Sequence, residues 1–249
     1  MYLTTQGLVL RVTAYNDTDA LLTVLTSDQG KLTVKARGLR RKNSPLVAPC
    51  QLLAFGEFTL FEYRGMYTIN EAHAIELFQG LRRDLQKLSL GTYFAQVAEL
   101  ICQEDIPNPE LQSLVLNCLY ALSKLNAPEE QVKAVFELRS ACLAGYMPDL
   151  FGCHRCGNPQ SELFDISAGR LECGGCRSAV SAGIRLPVPA GVLAAMRYIC
   201  VCEPKRLFGF QAGPQTLESL SQVSESYLTT QLERGFSALD FYKSLLIKQ

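Results

Sequence analysis

The sequence contains no tryptophan and only two histidines, His73 and His154, among its 249 residues. Histidine is the side chain most often used for general acid–base catalysis, so its scarcity excludes many enzyme classes. Neither histidine begins the His-x-Glu pattern of a zinc deaminase. Gly-x-x-x-x-Gly-Lys-Ser/Thr and Gly-x-Ser-x-Gly are also missing, which argues against a P-loop nucleotide hydrolase and a serine hydrolase. These absences favour a protein that is not an enzyme.

The chain also lacks a net charge and a long apolar run. It carries 24 basic and 24 acidic residues, so its net charge predicts no general attraction to nucleic acid. The most apolar segment, 188–202, is interrupted by Arg197 and is too short to span a bilayer. The first residues lack the basic and apolar regions of a signal peptide. We therefore expect a cytoplasmic protein without a membrane partner, whose cysteines are thiols or metal ligands rather than disulfides.

Cysteine is plentiful, and four of the ten cysteines form two Cys-x-x-Cys pairs. The pairs are Cys153 with Cys156 and Cys173 with Cys176, separated by sixteen residues. A two-residue spacer lets both sulfurs of a pair reach one ion, and two such pairs are typical of a tetrahedral zinc site. Because four thiolates leave no coordination position open, the pattern predicts one structural Zn²⁺ per chain rather than a catalytic metal.

Other interpretations of these cysteines remain open at this stage. The two pairs could form disulfides, or one could be a redox Cys-x-x-Cys, although that motif normally occurs once beside a βαβ unit. His154, inside the first pair, could replace one cysteine as a ligand. Cys200 and Cys202 are separated by one residue only, which suits core packing better than a shared zinc ion.

Basic residues are concentrated in one segment of the chain. Six of them occur between Gln29 and Pro45 without any acidic residue: Lys31, Lys35, Arg37, Arg40, Arg41 and Lys42. A run of charges is usually only a solvated surface, but the absence of compensating acids favours contact with phosphate here. The segment from Glu99 to Leu138 is the opposite, with seven acidic residues against two lysines, and would repel phosphate.

Residues 1–80 have the apolar periodicity of strands. Two hairpin turns are predicted, at Asp28-Gln29-Gly30 and at Arg64-Gly65, and the second joins strands expected at 52–63 and 66–77. In the strand from Lys31 to Gly38, apolar and basic residues alternate, so the basic side chains should point outward. Five strands, two hairpins and a long basic loop predict a small closed barrel of the OB-fold type, with a nucleic-acid-binding role.

From residue 81 the apolar period changes to that of helices. Amphipathic helices are expected around 90–101, 109–125, 129–146, 190–200, 214–232 and 239–246. The segment between the third and fourth helices contains the four cysteines and has room for a short hairpin turning at Ser167-Ala168-Gly169. The predicted fold is thus α+β and multidomain: an OB barrel at 1–80 and a helical domain at 81–249, with a zinc-binding insert at about 150–180.

Several stretches together resemble a known family. They are Gly7-Leu8-Val9-Leu10, the basic strand and loop from Gly30 to Lys42, and Gly145-Tyr146-Met147-Pro148-Asp149-Leu150 directly before the four cysteines. Over essentially the whole chain, this arrangement resembles the bacterial recombination mediator RecO family. The cysteines and the preceding Gly-Tyr-x-Pro-x-Leu are the most specific part of the likeness.

The resemblance implies a DNA repair function without nucleotide hydrolysis. Members of the family bind single- and double-stranded DNA and anneal complementary strands. They act with RecR and single-stranded-DNA-binding protein to load the recombinase RecA, at the nucleoid. Two alternatives remain: a zinc-stabilised adaptor that binds only proteins, and a metal-dependent nuclease or deaminase.

Overall fold

The computed structural model describes residues 1–125, 127–176 and 183–247. Backbone contacts divide the chain into two compact units, Met1–Asn126 with Phe236–Gln249, and Ala127–Gly235. The predicted zinc-binding insert is described as far as Cys176, and its end at 177–180 lies outside the described residues. The limits 1–80 and 81–249 stay a prediction. Within the described residues, no helix is long and apolar enough to cross a membrane.

The first unit contains a closed barrel of five strands. The strands are β1 (Tyr2–Ala14), β2 (Ala20–Thr26), β3 (Lys31–Ala36), β4 (Phe55–Tyr63) and β5 (Met66–Glu76). Their order around the barrel is β1-β2-β3-β5-β4, and only the β3–β5 contact among these pairings is parallel. A five-stranded barrel with a crossover between its third and fifth strands has the OB architecture. The predicted fold of the N-terminal region is confirmed.

The alternation in β3 decides which residues fill the barrel. Leu32, Val34 and Ala36 are at most 2% exposed and pack with the other inward residues of the barrel. Strand β4 begins at Phe55, three residues later than the sequence predicted. The reason is local: Leu53 has a positive φ of 63° and donates its N–H to the carbonyl of Val9, so this stretch is a turn.

Among the described residues outside the barrel, seven segments are α-helical. They are α1 (Gln79–Arg82), α2 (Leu85–Ile101), α3 (Pro109–Tyr120), α4 (Glu129–Leu143), α5 (Ala190–Val201), α6 (Pro214–Gln231) and α7 (Ser237–Leu246). The predicted helix at 109–125 is α-helical only to Tyr120 and ends in a π-helical turn, Ala121–Leu125. The expected start is confirmed, because Asn108 caps it by accepting the N–H of Leu111 and Pro109 occupies the first turn.

Helices α1, α2, α3 and α7 share the first unit with the barrel. Gln112 of α3 donates its side-chain N–H to the carbonyl of Leu25 at 2.9 Å, and α2 packs against β1 and α7. Arg11 on β1 forms an ion pair with Glu99 on α2 at 2.8 Å. These contacts attach the helices to strands β1 and β2.

The second unit combines α4, α5 and α6 with a small sheet. Its strands are β6 (Asp149–Cys153), β7 (Leu163–Asp165), β8 (Arg170–Glu172) and β9 (Arg185–Pro187), in the order β6-β8-β7-β9. The predicted hairpin is confirmed as β7–β8, where Gly169 at φ +63° donates its N–H to the carbonyl of Asp165. The sequence did not predict β9.

A buried ion network connects α4 with α6. The Lys133 side chain is 3% exposed and lies 2.9 Å from a carboxylate oxygen of Glu137 and 2.9 Å from one of Glu225. Ser224 donates its hydroxyl to Glu137 at 2.7 Å. Burial raises the pKa of Glu137, and the Lys133 ammonium partly opposes that rise. The carboxylate is therefore stable inside the unit only with its cation.

Lys133→Met should lower the free energy of unfolding by about 3–5 kcal/mol, because it leaves a buried carboxylate without its cation. Urea denaturation followed by circular dichroism would measure this. Lys205→Met, at an exposed position, is the control and should change stability by about 0.5 kcal/mol or less. Lys133→Met combined with Glu137→Leu should recover most of the loss, and a single variant as stable as wild type would contradict the interpretation.

Candidate metal centre and nucleic-acid interface

The four predicted cysteine ligands converge. The sulfurs of Cys153, Cys156, Cys173 and Cys176 all lie within 4.8 Å of one another, and those of Cys156 and Cys173 are 3.7 Å apart. A tetrahedron with zinc–sulfur bonds of about 2.3 Å has edges of about 3.8 Å. None of these four cysteines forms a disulfide bond, in which the sulfurs would be only about 2 Å apart. The residues present therefore fit a four-thiolate metal centre.

The local backbone explains why the sulfurs meet. Cys153 is the last residue of β6 and Cys173 directly follows β8, and these two strands are parallel neighbours. Each pair is closed by a tight turn: Gly157 donates its N–H to the carbonyl of Cys153 at 2.8 Å, and Cys176 to that of Cys173 at 3.0 Å. Gly157 has a φ of +73°, which a residue with a side chain rarely adopts.

The thiols of the cluster differ in their tendency to ionise. Backbone N–H groups of Arg155 and Cys156 lower the pKa of Cys153 to about 6. Hydrogen bonds to the sulfurs of Cys156 and Cys173 raise the pKa of Cys176 to about 12. Four sulfurs so close together cannot all be thiolates without a compensating cation. The donor set thus suits a divalent metal that prefers sulfur ligands.

His154 does not belong to the metal cluster. Its Nδ1 donates to the carbonyl of Leu171 at 3.2 Å, and its backbone N–H bonds the same carbonyl at 3.0 Å. The histidine therefore holds the first Cys-x-x-Cys turn against β8 instead of replacing a thiolate.

Sequence reasoning missed a buried ion cluster beside the second cysteine pair. Arg185 of β9 donates to the carboxylate of Glu172 at 2.6 Å and lies 3.8 Å from that of Asp165. Glu172 is 1% exposed and directly precedes Cys173. Arg185 thus fixes the strand that presents this ligand. Nothing in the spacing of the sequence signals this contact, because the strand β9 that carries it is only three residues long.

Two of the six predicted phosphate contacts lie in one groove on the barrel. The groove has a volume of about 450 Å³ and its lining includes Arg37, Arg41, Ile69 and Asn70. Ile69 and Asn70 belong to β5, while the two arginines follow β3, so the groove exists because β3 and β5 are neighbours. A bulge in β5 falls at Asn70, where Leu60 pairs with Ile69 and Thr59 with Glu71.

The six basic residues fall into two groups. The side chains of Arg37, Arg41 and Lys42 are exposed, and none forms an ion pair with another residue of the described ranges. The other three have partners within the protein. Lys31 donates to the carbonyl of Glu99 at 3.1 Å, Lys35 lies 3.3 Å from Asp19, and Arg40 donates to the carbonyl of Asn16.

Asp19 organises the start of the basic loop. It accepts the backbone N–H of Gly38 at 2.9 Å, and this bond, with those from Asn16 and Thr18, lowers its pKa well below the usual range. The backbone N–H of Arg40 in turn donates to the carbonyl of Thr18 at 3.0 Å. The β1–β2 turn and the basic loop are thus connected by several hydrogen bonds.

The aromatic residues of the first compact unit include both buried and exposed side chains. Phe58 is buried in the barrel, while Tyr2, Tyr15, Phe61 and Tyr63 are between 40% and 64% exposed. The ring of Tyr15 lies beneath the Lys35 ammonium at 4.7 Å.

The β4–β5 turn contains a further cation, Arg64, that is not among the six predicted contacts. The guanidinium of Arg64 lies 5.1 Å from the centre of the Tyr63 ring. OB-folds bind oligonucleotides with the loops between strands 1 and 2 and between strands 4 and 5. The predicted hairpin at Arg64-Gly65 could therefore have identified Arg64 as a further candidate for phosphate contact.

Comparison with known proteins agrees with this architecture. The family model described as "Recombination protein O N terminal" matches residues 1–78, and "Recombination protein O C terminal" matches residues 82–240. A "DNA repair protein RecO" from Acetivibrio thermocellus is 34% identical over 247 residues, covering 98% of this chain and 97% of the relative. One from Alkaliphilus metalliredigens is 31% identical over 248 residues, covering 98% and 100%. The chain therefore belongs to the RecO family of DNA repair proteins.

Proposed function

We propose that this protein is a recombination mediator that binds single- and double-stranded DNA and anneals complementary strands. The observation that carries the proposal is the groove on the OB barrel lined by Arg37 and Arg41, two exposed cations without an ion-pair partner in the described ranges. Phosphate contacts of this kind bind DNA without reading its sequence. The DNA repair name of the relatives and the family resemblance support the same function.

The proposed mechanism is electrostatic rather than catalytic. Cations on the barrel neutralise phosphates of two strands and so lower the repulsion that keeps complementary strands apart. Base pairing then supplies the free energy, so neither nucleotide hydrolysis nor a catalytic residue is needed. Arg37, Arg41 and Lys42 would make the main contacts, because Lys31, Lys35 and Arg40 already bind groups of the protein.

The resemblance to RecO also supplies the proposed partners. We propose that the protein acts at the nucleoid with RecR and single-stranded-DNA-binding protein, and that it helps to load RecA onto coated single strands. These partners rest on the family alone.

The proposed metal is Zn²⁺, held by Cys153, Cys156, Cys173 and Cys176. Zinc favours tetrahedral thiolate sites, and when bound it would compensate the negative charge of the four sulfurs and tie β6 to β8. With all four positions taken by protein ligands, its role would be structural.

Arg37→Ala with Arg41→Ala should weaken binding to all DNA sequences alike. Each lost phosphate contact lowers the slope of log K against log salt by about one, so the double variant should lose about two. Fluorescence anisotropy with labelled oligonucleotides at several salt concentrations measures both quantities. Lys35→Ala is the matched comparison and should have a smaller effect, because Asp19 already compensates that charge. An unchanged slope in the double variant would mean that the groove does not contact phosphate.

Wild-type protein should accelerate the annealing of two complementary labelled oligonucleotides without any nucleotide. The acceleration should decrease as salt rises and should be strongly reduced by Arg37→Ala with Arg41→Ala, since both weaken phosphate contacts. Energy transfer between the two labels follows the reaction, and a non-complementary pair is the control. Salt-dependent binding without faster annealing would contradict the annealing function but leave DNA binding in place. No binding at all would favour a protein-binding adaptor.

Cys173→Ser should reduce the zinc content from about one per chain to near zero and lower Tm by roughly 5–10 °C, since structural zinc contributes directly to folding free energy. Elemental analysis of protein purified without chelator and thermal unfolding measure these effects. Cys202→Ser, outside the cluster, should keep the metal. Wild-type protein without zinc, or a Cys173→Ser variant that retains it, would contradict the site.

A further inference from the structure

An aromatic pair is exposed on the outside of the barrel. Tyr2 of β1 and Phe61 of β4 are directly opposite each other in the sheet, and their ring centres are 5.3 Å apart. The two side chains are 64% and 40% exposed. Aromatic residues of this size are normally covered when their only role is to stabilise the fold, so the exposure of both rings needs another explanation.

The surroundings of the pair are polar on two sides. The next registered pair on the same face is Thr4 opposite Thr59, and Thr68 of β5 lies beside Phe61. Towards the β4–β5 turn, the same face continues with Tyr63 opposite Met66, which are 59% and 55% exposed. The apolar surface here is thus narrow across the strands. A stable protein interface buries about 800 Å² on each partner, which is much more than these few side chains provide. A narrow aromatic surface with polar neighbours is suited to a flat, amphipathic ligand such as a nucleobase.

The position of the pair connects it to the basic groove. Phe61 is registered with Thr68, and Asn70, which lines the groove, lies two residues farther along β5. Neighbouring strands are about 4.8 Å apart and two residues of a strand span about 6.6 Å. A chain of one or two nucleotides covers this separation, so a base at Phe61 would place a nearby phosphate at the groove that Arg37 and Arg41 line.

The β4–β5 turn carries a cation close to the end of β4 that holds Phe61. Arg64, in the β4–β5 turn, lies over the ring of Tyr63. Of the four carboxylates on β4 and β5, Glu62 accepts the N–H of Gly65 at 2.9 Å, Glu71 bonds His73 at 3.0 Å and Glu76 lies 3.6 Å from Lys124. The fourth, Glu57, is exposed on the face that carries Phe61, but it lies four residues farther along β4, beyond Thr59. Arg64, at the end of β4 nearer to Phe61, forms no ion pair within the described residues.

We propose that Tyr2 and Phe61 form a stacking platform for the unpaired bases of a single strand whose phosphates lie in the Arg37–Arg41 groove. The proposal rests on the proposed DNA-binding function and extends it, because it assigns the contact that separates single strands from duplexes. Bases inside a duplex are stacked on each other and cannot reach the platform, so the platform acts only on single-stranded DNA.

The first experiment uses the absence of natural tryptophan. Phe61→Trp introduces the only tryptophan of the chain, and oligo(dT) should quench its fluorescence in proportion to binding, because a stacked base contacts the ring directly. Phe151→Trp, at a position that is 89% exposed in the other compact unit, is the control and should be quenched far less. Saturating oligo(dT) that leaves the Phe61→Trp emission unchanged would overturn the proposal.

The second experiment removes the rings while preserving the strand. Tyr2→Thr with Phe61→Thr copies the neighbouring Thr4–Thr59 pair, so the barrel should remain folded. Affinity for oligo(dT) should fall roughly five-fold or more, since stacking contributes substantially for each base. Affinity for duplex DNA and the salt slope should not change, and binding to an abasic oligonucleotide should be equally weak for both proteins.

The two experiments distinguish failure of the stacking platform from failure of the proposed DNA-binding function. If wild-type protein shows no salt-dependent DNA binding, the proposed function itself fails. If wild type binds with a salt slope that falls in the Arg37→Ala, Arg41→Ala variant, but the double threonine variant binds oligo(dT) as tightly as wild type, only the platform is wrong.

Discussion

The parallel pairing of β3 with β5 closes the barrel. It is short: Val34 is opposite Tyr67, and Lys35 is opposite Thr68. This contact brings the end of β3 beside the beginning of β5, although the residues are more than thirty positions apart in the chain. The arginines that follow β3 and the bulge at Asn70 then form the two sides of one groove. Without the crossover, the same basic residues would lie on a free strand edge with nothing opposite them.

A parallel strand pairing also positions the candidate site of the second compact unit. Here β6 and β8 are parallel neighbours with an irregular register, so few backbone hydrogen bonds connect them. The contact of Arg185 with Glu172 gives the sheet a further attachment, and a metal bound by the four sulfurs at the strand ends would add another. A strand of three residues is marginal by itself, and a tetrahedral metal centre is an efficient way to fix several short strands.

The sequence predicted those features that depend on local periodicity or fixed spacing. The alternation of Leu32, Val34 and Ala36 and the two Cys-x-x-Cys pairs are of this kind, because each is defined within a few residues. Partners that are distant in sequence were not predictable: Asp19 for Lys35, Glu99 for Lys31 and Glu172 for Arg185. The exposure of Tyr2 and Phe61 also depends on which strand face turns inward, and in a barrel that is decided by the register of both neighbouring strands.

The hydrogen bonds around Asp19 have a consequence for the thermodynamics of recognition. Since the Gly38 and Arg40 amides and the Lys35 ammonium are all bonded to the β1–β2 turn, much of the conformational entropy of the basic loop is already lost in the free protein. An anionic ligand of this loop would meet cations at a fixed spacing and would not have to order the loop, so more of the interaction free energy would be retained as affinity. The backbone amides at the start of this loop would therefore exchange their hydrogens as slowly as amides in a helix or strand, although the segment is neither.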